Sequence, residues 1–379
     1  MNSLRDICDY VVTRTNIIEN YISTENMLPN KGGVCDTLKV PSGGIGTKYQ
    51  VGDILISNIR PYFKKIWQAD CEGACSTDVL CLRANENVDS RFLYYLLTQQ
   101  SFFDYVMSGT KGCKMPRGDK QQIMQWHIHL PSLVEQKKIA GVLSTLDAKI
   151  QLNRRINDNL EQQAQALYKS WFIDNYQTEW PEYSLDEVTL KITDGVHNTV
   201  IDTPNGEYYL LSCKNIKNRR LNMSSSDRRI DEETFNKLRK RTMLSKGDIL
   251  LSSVGTIGEL MLLNEDPHNY EFQRSVAIIK PNPVYISSYY LYETLISQID
   301  KITNTAHGAV QQCIFLSDLK EYTINIADKA LISRYDIIVK PFFDEITKRE
   351  KEIARLTSLR DSLLPKLMSG ELKINEIDC

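Results

Sequence analysis

Two stretches of this chain, one in each half, are patterned for long helices, and nothing else in the sequence restricts its fold as tightly. Residues 133–176 contain no Pro and a single Gly and are rich in Gln, Glu, Ala, Leu and Lys, side chains that lose little rotamer freedom on a helix. Steps of four and three from Ile139 pass through Leu143, Leu146, Ile150, Asn153, Asn157, Leu160, Ala164, Leu167 and Trp171, a heptad seam. At 1.5 Å per residue, about forty residues make a rod of roughly 60 Å, and such a rod needs a partner for its seam. About 196 residues further on, the same steps give Ile332, Tyr335, Val339, Phe342, Ile346, Arg349, Ile353, Leu356, Arg360, Leu363 and Leu367. Asn153, Asn157, Arg349 and Arg360 interrupt the seams; polar groups there cost stability but fix register. The pattern predicts an antiparallel intrachain coiled coil. The alternative is two separate amphipathic helices, each packed on its own domain. Pro341 predicts a kink or restart in the second rod, and Ser369-Gly370 suits its C-terminal cap.

What precedes each rod is duplicated. Ser3-Leu4-Arg5-Asp6-Ile7 returns as Ser184-Leu185-Asp186-Glu187-Val188, and Gly52-Asp53-Ile54-Leu55 as Gly247-Asp248-Ile249-Leu250, at a shift of 195. Strands are expected at 79–83 and 276–280, Tyr-rich helices at 90–107 and 287–302, and strands at 126–130 and 322–326 just before each rod. One period repeated twice is not a solenoid. The fold class is α+β: two similar globular α/β domains joined by two long antiparallel helices, with a pseudo-two-fold internal repeat. The expected segments are a first domain at 1–131, a first spacer helix at 132–177, a second domain at 178–327, a second spacer helix at 328–370 and a tail at 371–379.

Composition narrows the class further. No run of eighteen apolar residues exists, so nothing reads as a membrane-spanning helix. The first ten residues, MNSLRDICDY, lack the basic start and apolar core of a signal peptide. Nine scattered cysteines fit a reducing cytoplasm better than a disulfide framework. A net charge of −2 argues against binding nucleic acid by bulk charge. The distribution says more: residues 205–246 carry eleven Lys/Arg against five Asp/Glu, and residues 31–65 six against two. Two cationic stretches suggest a polyanion met at two places.

Motifs for chemistry are missing. There is no GxxxxGK[ST] loop, no strand-to-helix GxGxxG and no Asn-Pro-Pro-aromatic tetrapeptide. Cys71, Cys75 and Cys81 lack a clear fourth metal ligand and read as ordinary thiols. Five histidines form no Ser/His/Asp or Cys/His constellation. Asp53 and Asp248, each before an apolar strand, read as turn residues rather than acids. No catalytic residue and no metal site is expected.

The residues for nucleic-acid contact are present. The first domain offers Lys31, Asn58, Arg60, Tyr62, Lys64, Lys65, Lys111, Lys114 and Arg117; the second offers Lys214, Asn215, Lys217, Arg219, Arg220, His307, Gln311 and Gln312. Arg and Lys neutralise phosphates, and Asn, Gln and Arg bond base edges. The loops after the two Tyr-rich helices differ in sequence, as two readers of different bases would. For each of these residues alone, solvated surface charge is the competing reading.

The chain resembles the specificity (S) subunit of type I restriction–modification systems. The resemblance is carried by Leu130-Pro131-Ser132-Leu133-Val134-Glu135-Gln136-Lys137-Lys138-Ile139 and Leu143-Ser144-Thr145-Leu146-Asp147 in the first rod, and by residues 359–372 (LRDSLLPKLMSGEL) in the second. Asp194-Gly195-Val196-His197, Lys246-Gly247-Asp248-Ile249-Leu250 and Gly255-Thr256-Ile257-Gly258 are similar to family patterns. They add His197, Ser253 and Thr256 to the candidate DNA contacts. The second rod departs from the pattern, opening with Ile326-Ala327-Asp328-Lys329-Ala330, and the first domain lacks the Asp-Gly-x-His segment. The resemblance implies a non-catalytic subunit whose two target-recognition domains each read half of a bipartite double-stranded DNA site. The seam of Ile139, Leu143, Leu146, Ile150, Leu160, Leu167, Ile346, Ile353, Leu356, Leu363 and Leu367 would set the gap. Two methyltransferase subunits binding S-adenosylmethionine would dock on it, and motor–nuclease subunits using ATP and Mg would join; no cofactor is implied in this chain. A coiled-coil scaffold or adaptor that recruits partners without touching DNA is the rival reading.

Overall fold

The computed structural model describes residues 2–16, 19–35, 44–110, 112, 114–197, 199–224, 226–308 and 312–374. The chain divides into two compact units, Met1–Leu152 with Glu352–Cys379, and Asn153–Lys351. Each unit holds one globular part and one half of both long helices, Leu133–Tyr168 and Lys329–Ser369.

In the first unit a four-stranded antiparallel sheet runs in the order Cys8–Tyr10, Val79–Ala84, Ile54–Ser57, Ile66–Gln68. All four residues of Ile54–Ser57 are buried, because the sheet is covered on both faces. Ile54, Ile56, Leu80 and Leu82 pack with Phe92, Leu96, Phe102 and Phe103 of the helices, while Leu55, Val79 and Cys81 pack with Tyr49 and Cys75 of a smaller sheet. A strand covered twice must be apolar at every position, which is why Ile-Leu-Ile stood out in the sequence. The single helix expected over 90–107 is two helices, Ser90–Leu97 and Gln100–Ser108. Thr98 Oγ1 donates to Tyr95 O at 2.7 Å, one of the local bonds that compete with helix continuation.

The long helices pair antiparallel in this unit. Ile139, Ala140 and Leu143 share a core with Leu364, Leu367 and Met368, and Arg360 meets Asp147 at 2.7 Å. The start of the first helix explains its Leu-Pro-Ser-x-x-Glu-Gln sequence. Ser132 and Glu135 form a capping box, with Ser132 N–H donating to Glu135 Oε2 at 3.0 Å. Buried Gln136 accepts from Asp89 N–H at 2.9 Å and donates to Pro131 O at 3.0 Å, fixing the helix to the end of the domain it leaves.

The second unit repeats the plan. Its main sheet has the same order, Thr189–Asp194, Val276–Pro281, Ile249–Ser252, Leu260–Leu262, again covered on both faces. The helix expected over 287–302 is again split, into Ser288–Ser297 and Ile299–Asn304. Within this unit the long helices also run antiparallel: Arg349 donates to Asn153 Oδ1 at 3.0 Å, Asn157 Nδ2 to Glu350 Oε1 at 2.7 Å, and Tyr335 Oη to Ala164 O at 3.2 Å. The smaller sheets differ. In the first unit the three strands pair antiparallel and Ile22 adds a single parallel bridge to Cys75, whereas in the second a whole strand, Tyr208–Leu211, pairs parallel with Tyr270–Phe272. The duplicated part is the scaffold, and the part that diverges is built upon it.

The break expected at Pro341 is absent, for the second helix runs unbroken through it. Pro341 lies on the exposed face, and the residue whose carbonyl it leaves without a helical donor, Ile337, is exposed as well, so water can satisfy that oxygen. Gly370 closes the helix with φ +77°, as a C-terminal cap requires. The first helix ends in a π-turn, Lys169–Ile173, that delivers Phe172 against Tyr290 and Tyr335. Among the described residues no helix is long and apolar enough to cross a membrane.

Candidate nucleic-acid interface

In both units one backbone junction gathers the candidate contacts. In the first, the loop leaving Ile54–Ser57 meets the loop that follows Gln100–Ser108. Ile59 and Arg117 form a β-bridge, Arg60 N–H donates to Pro116 O at 2.8 Å and Gly118 N–H to Asn58 O at 3.3 Å. In the second, Val254 and Cys313 form the matching bridge, and Ile314 N–H donates to Ser253 O at 2.9 Å. Equivalent strands therefore aim equivalent loops at one another, while the side chains they carry differ.

The first junction is cationic and aromatic. Arg60, Lys114 and Arg117 are exposed; Arg117 is shared with Asp78 at 3.1 Å. Lys31 and Lys64 are joined through the backbone at 2.9 Å and both are half-buried. Burial pushes the Lys31 ammonium below its ordinary range. Lys65 donates from Nζ to Thr24 O at 2.7 Å, so its charge is partly spent on the fold. Asn58 is half-buried and its Oδ1 is enclosed without a partner. Tyr62 is exposed. Phe63 and Met115, exposed beside these residues, were not expected from sequence, where large apolar side chains read first as core. Lys111 lies outside the described residues.

The second junction is polar and less charged. Thr256 is exposed between Gly255 and Gly258, whose φ angles are +89° and +92°. Gln312 is exposed. His307 is exposed, stacked on Phe315 and bonded to Asp318 at 2.9 Å. His197 is exposed and held by buried Asp194 at 2.7 Å, which also takes Arg241 at 3.1 Å. Gly195 between them must be Gly: a Cβ there would stand 1.9 Å from the Phe272 carbonyl oxygen. Arg274, exposed and bonded through its N–H to Val196 O at 3.1 Å, is a further cation that sequence reading passed over. Gln311 lies outside the described residues.

Four candidates are placed differently from the sequence expectation. Asn215 is buried and its amide caps a turn, accepting from Ser212 N–H at 3.0 Å and donating to Asn222 O and Asp227 at 2.9 Å each. Ser253 is buried in the junction itself. Arg219 and Arg220 turn inward: Arg220 bonds Glu161 of the first long helix and, at 2.8 Å, Glu350 of the second, and Arg219 meets Glu161 at 3.7 Å. These carboxylates lie far off in sequence, so a local charge count could not show that the arginines were taken. The same unit pairs Arg239 with buried Glu271 and Arg228 with Asp202. Part of the surplus charge of 205–246 is therefore engaged within the fold, while Lys237, Lys240 and Lys246 stay exposed. Lys214 remains exposed although it meets Asp227 at 3.0 Å, and Lys217 is exposed on a hairpin whose turn residues, Asn218 and Arg219, have φ of +51° and +62°.

Asp53 and Asp248 are structural. Asp53 is buried and grips Arg83 through two bonds of 2.7 Å, and buried Asp248 grips Lys280. Of the cysteines considered for a metal, Cys75 and Cys81 are buried and Cys71 half-buried; no metal-holding cluster occurs among the described residues. On the seam, Ile139, Leu143, Ile150, Ile346, Ile353 and Leu367 are buried, and Leu146, Leu160, Leu356 and Leu363 are half-buried, as is Leu167.

Twin scaffolds carrying unlike loops, each bound to half of a helix pair, define a duplicated recognition protein. The family model for the type I restriction modification DNA specificity domain matches residues 8–162. Similarity continues beyond it. The MjaIX specificity subunit of Methanocaldococcus jannaschii is 26% identical over 310 residues, covering 77% of this chain and 71% of the relative. The EcoBI specificity subunit of Escherichia coli is 24% identical over 373 residues, covering 87% and 76%. The crystal structure of the S subunit from M. genitalium shares the fold, with a TM-score of 0.53 and 16% identity over 97% of this chain and 95% of that one. Residues 8–162 thus carry a type I restriction modification DNA specificity domain, and the chain as a whole is similar to the specificity subunits of type I restriction–modification systems.

Proposed function

We infer that each unit of this chain reads one half of a bipartite double-stranded DNA site. The observation that supports this most directly is the repeated junction, Ile59 with Arg117 and Val254 with Cys313. One scaffold presents two different sets of side chains, as two half-sites of different sequence require. Contacts would come from Arg60, Lys64, Lys114 and Arg117 in one unit, and from His197, Lys217, Thr256, Arg274, His307 and Gln312 in the other. The paired helices would set the number of unread base pairs between half-sites, much as dimer geometry sets half-site spacing in other readers. Two methyltransferase subunits carrying S-adenosylmethionine would supply modification, and motor–nuclease subunits using ATP and Mg would supply cleavage, leaving this chain without chemistry of its own. Such a complex would act in the cytoplasm, where the DNA is.

The test is selection of a randomised duplex pool on the complex of this chain with its methyltransferase. Two short conserved blocks separated by a fixed unspecified gap are expected. Selection of one continuous block, or of none, would overturn the reading.

A further inference from the structure

The turn Pro61–Phe63 is strained and clamped by backbone hydrogen bonds, yet exposes two aromatic rings. The residues flanking it, Arg60 and Lys64, both take left-handed backbone angles, φ +50° and +51°. Neither is Gly or Asn, so each conformation costs energy that the surroundings must supply. They do so: Pro61 is buried, and three backbone hydrogen bonds clamp the turn from outside, Arg60 N–H to Pro116 O at 2.8 Å, Asn30 N–H to Phe63 O at 2.8 Å and Lys31 N–H to Lys64 O at 2.9 Å. The product is a fixed knuckle with Tyr62 46% and Phe63 38% exposed, their rings 4.7 Å apart. Lys65 Nζ lies 5.9 Å over the Phe63 ring, which leaves Tyr62 as the outward ring. Its hydroxyl makes no hydrogen bond among the described residues. Arg60 and Lys64, two residues to either side in sequence, add positive charge to the turn.

Resting on the DNA-reading function above, we propose that Tyr62 stacks on a base step of the half-site read by the first unit, partly unstacking it. A ring on a clamped turn that also carries two cations is suited to this: the cations can anchor phosphates while the ring enters the step. Arg60 and Lys64 would act here as positioning residues as well as phosphate contacts. The matching loop of the second unit, Gly255-Thr256-Ile257-Gly258, carries no aromatic ring. The two half-sites are therefore distorted unequally.

The experiment takes the duplex selected above and replaces each base of the first half-site in turn by 2-aminopurine, whose fluorescence rises on unstacking. With the wild-type complex one position should brighten, and no position in the other half-site should do so. Tyr62→Ala should abolish that signal and weaken site binding about 10- to 100-fold, Tyr62→Phe should stay within about twofold, and Tyr62→Trp should retain the signal. Melting temperatures of the variants should match wild type, because the ring is exposed. The inference is overturned if Tyr62→Phe loses as much as Tyr62→Ala, which would make the hydroxyl the contact. It is equally overturned if the fluorescence is unchanged in Tyr62→Ala, or if that variant loses only its methyltransferase partner on gel filtration, which would make the knuckle a protein contact. Failure of the pool to select any sequence would strike the underlying function instead.

Discussion

Arg349 donates a hydrogen bond of 3.0 Å to Asn153 Oδ1 inside the seam of the helix pair. Asn157 stands one turn on, fully buried, its Nδ2 on Glu350 and its Oδ1 without a partner. Arg349 also pairs with Glu345 at 2.7 Å, while its Nε is enclosed and unbonded. Incompletely satisfied polar groups in a seam lower stability and favour one register over its neighbours. Asn153→Leu alone should destabilise the second unit by about 1–3 kcal/mol, because Arg349 loses an acceptor. Asn153→Leu with Arg349→Leu should be neutral or stabilising in urea melts. The double variant should also lose register, read as mixed products when single cysteines on the two helices are crosslinked. A single crosslink pattern would show that these side chains do not set the register.

The two buried carboxylates at equivalent places, Asp53 and Asp248, should respond unequally to substitution. Arg83 is partly exposed and can turn to water when Asp53 is lost, whereas Lys280 is almost wholly buried against Asp248. Stranding a buried ammonium costs about 3–5 kcal/mol, and freeing a partly exposed guanidinium costs less. Asp248→Ala should therefore lower the melting point of the second unit more than Asp53→Ala lowers that of the first. Equal losses would mean that turn geometry, and not the ion pair, carries the stability.

Glu293 gives the second unit a definite pH dependence. Burial pushes its carboxyl up to about 8, with nearby Arg219 opposing the rise and Glu161 adding to it. The folded state thus keeps a proton that the unfolded chain releases above its ordinary value of about 4.5. Unfolding releases that proton between these two pH values, so this group's contribution to stability falls as pH rises from about 4.5 to about 8 and is level above. Glu293→Gln should remove that part of the slope and be more stable than wild type at pH 8, measured as the difference between the two urea-melt profiles. Parallel profiles would show that Glu293 is ionised in the fold.

Gly195 is required by close approach. Its neighbour is the Phe272 carbonyl, which backbone pairing holds in place. Gly195→Ala must displace Asp194 or the strand Tyr270–Phe272, and with Asp194 the positions of His197 and Arg241. A loss of about 2–4 kcal/mol is expected, together with loss of second half-site preference in duplex selection. Retention of both would mean that the segment can shift freely.

What could be read from the sequence follows from where the constraints are local. The duplication showed through Gly-Asp-Ile-Leu because a strand covered on both faces must be apolar throughout. The helix pair showed through its heptads, and Asn153 and Arg349 stood out as polar interruptions of them. The fate of Arg219 and Arg220 was hidden because their partners, Glu161 and Glu350, lie on the long helices, 59 and 130 residues from Arg220. The knuckle was hidden for the opposite reason: its left-handed residues are Arg60 and Lys64, which carry no glycine signal. Pro341 misled because its effect depends on which face of the helix it occupies.

That contrast between free and engaged cations sets the last prediction. Arg60 and Lys217 are exposed with no carboxylate partner among the described residues, whereas Arg220 is held by Glu161 and Glu350. If Arg60 and Lys217 each neutralise a phosphate, Arg60→Ala and Lys217→Ala should weaken binding to all duplexes alike. Each should flatten the plot of log affinity against log salt by about one unit. Arg220→Ala should leave that slope nearly unchanged but cost the second unit about 2 kcal/mol, since Glu161 and Glu350 lose their shared donor in a half-buried setting. Binding titrations between low and moderate salt, beside urea melts, separate the two kinds of residue. A flattened slope for Arg220→Ala would mean that the hairpin releases Glu161 and Glu350 when DNA arrives. An unchanged slope for Lys217→Ala would remove that hairpin tip from the interface.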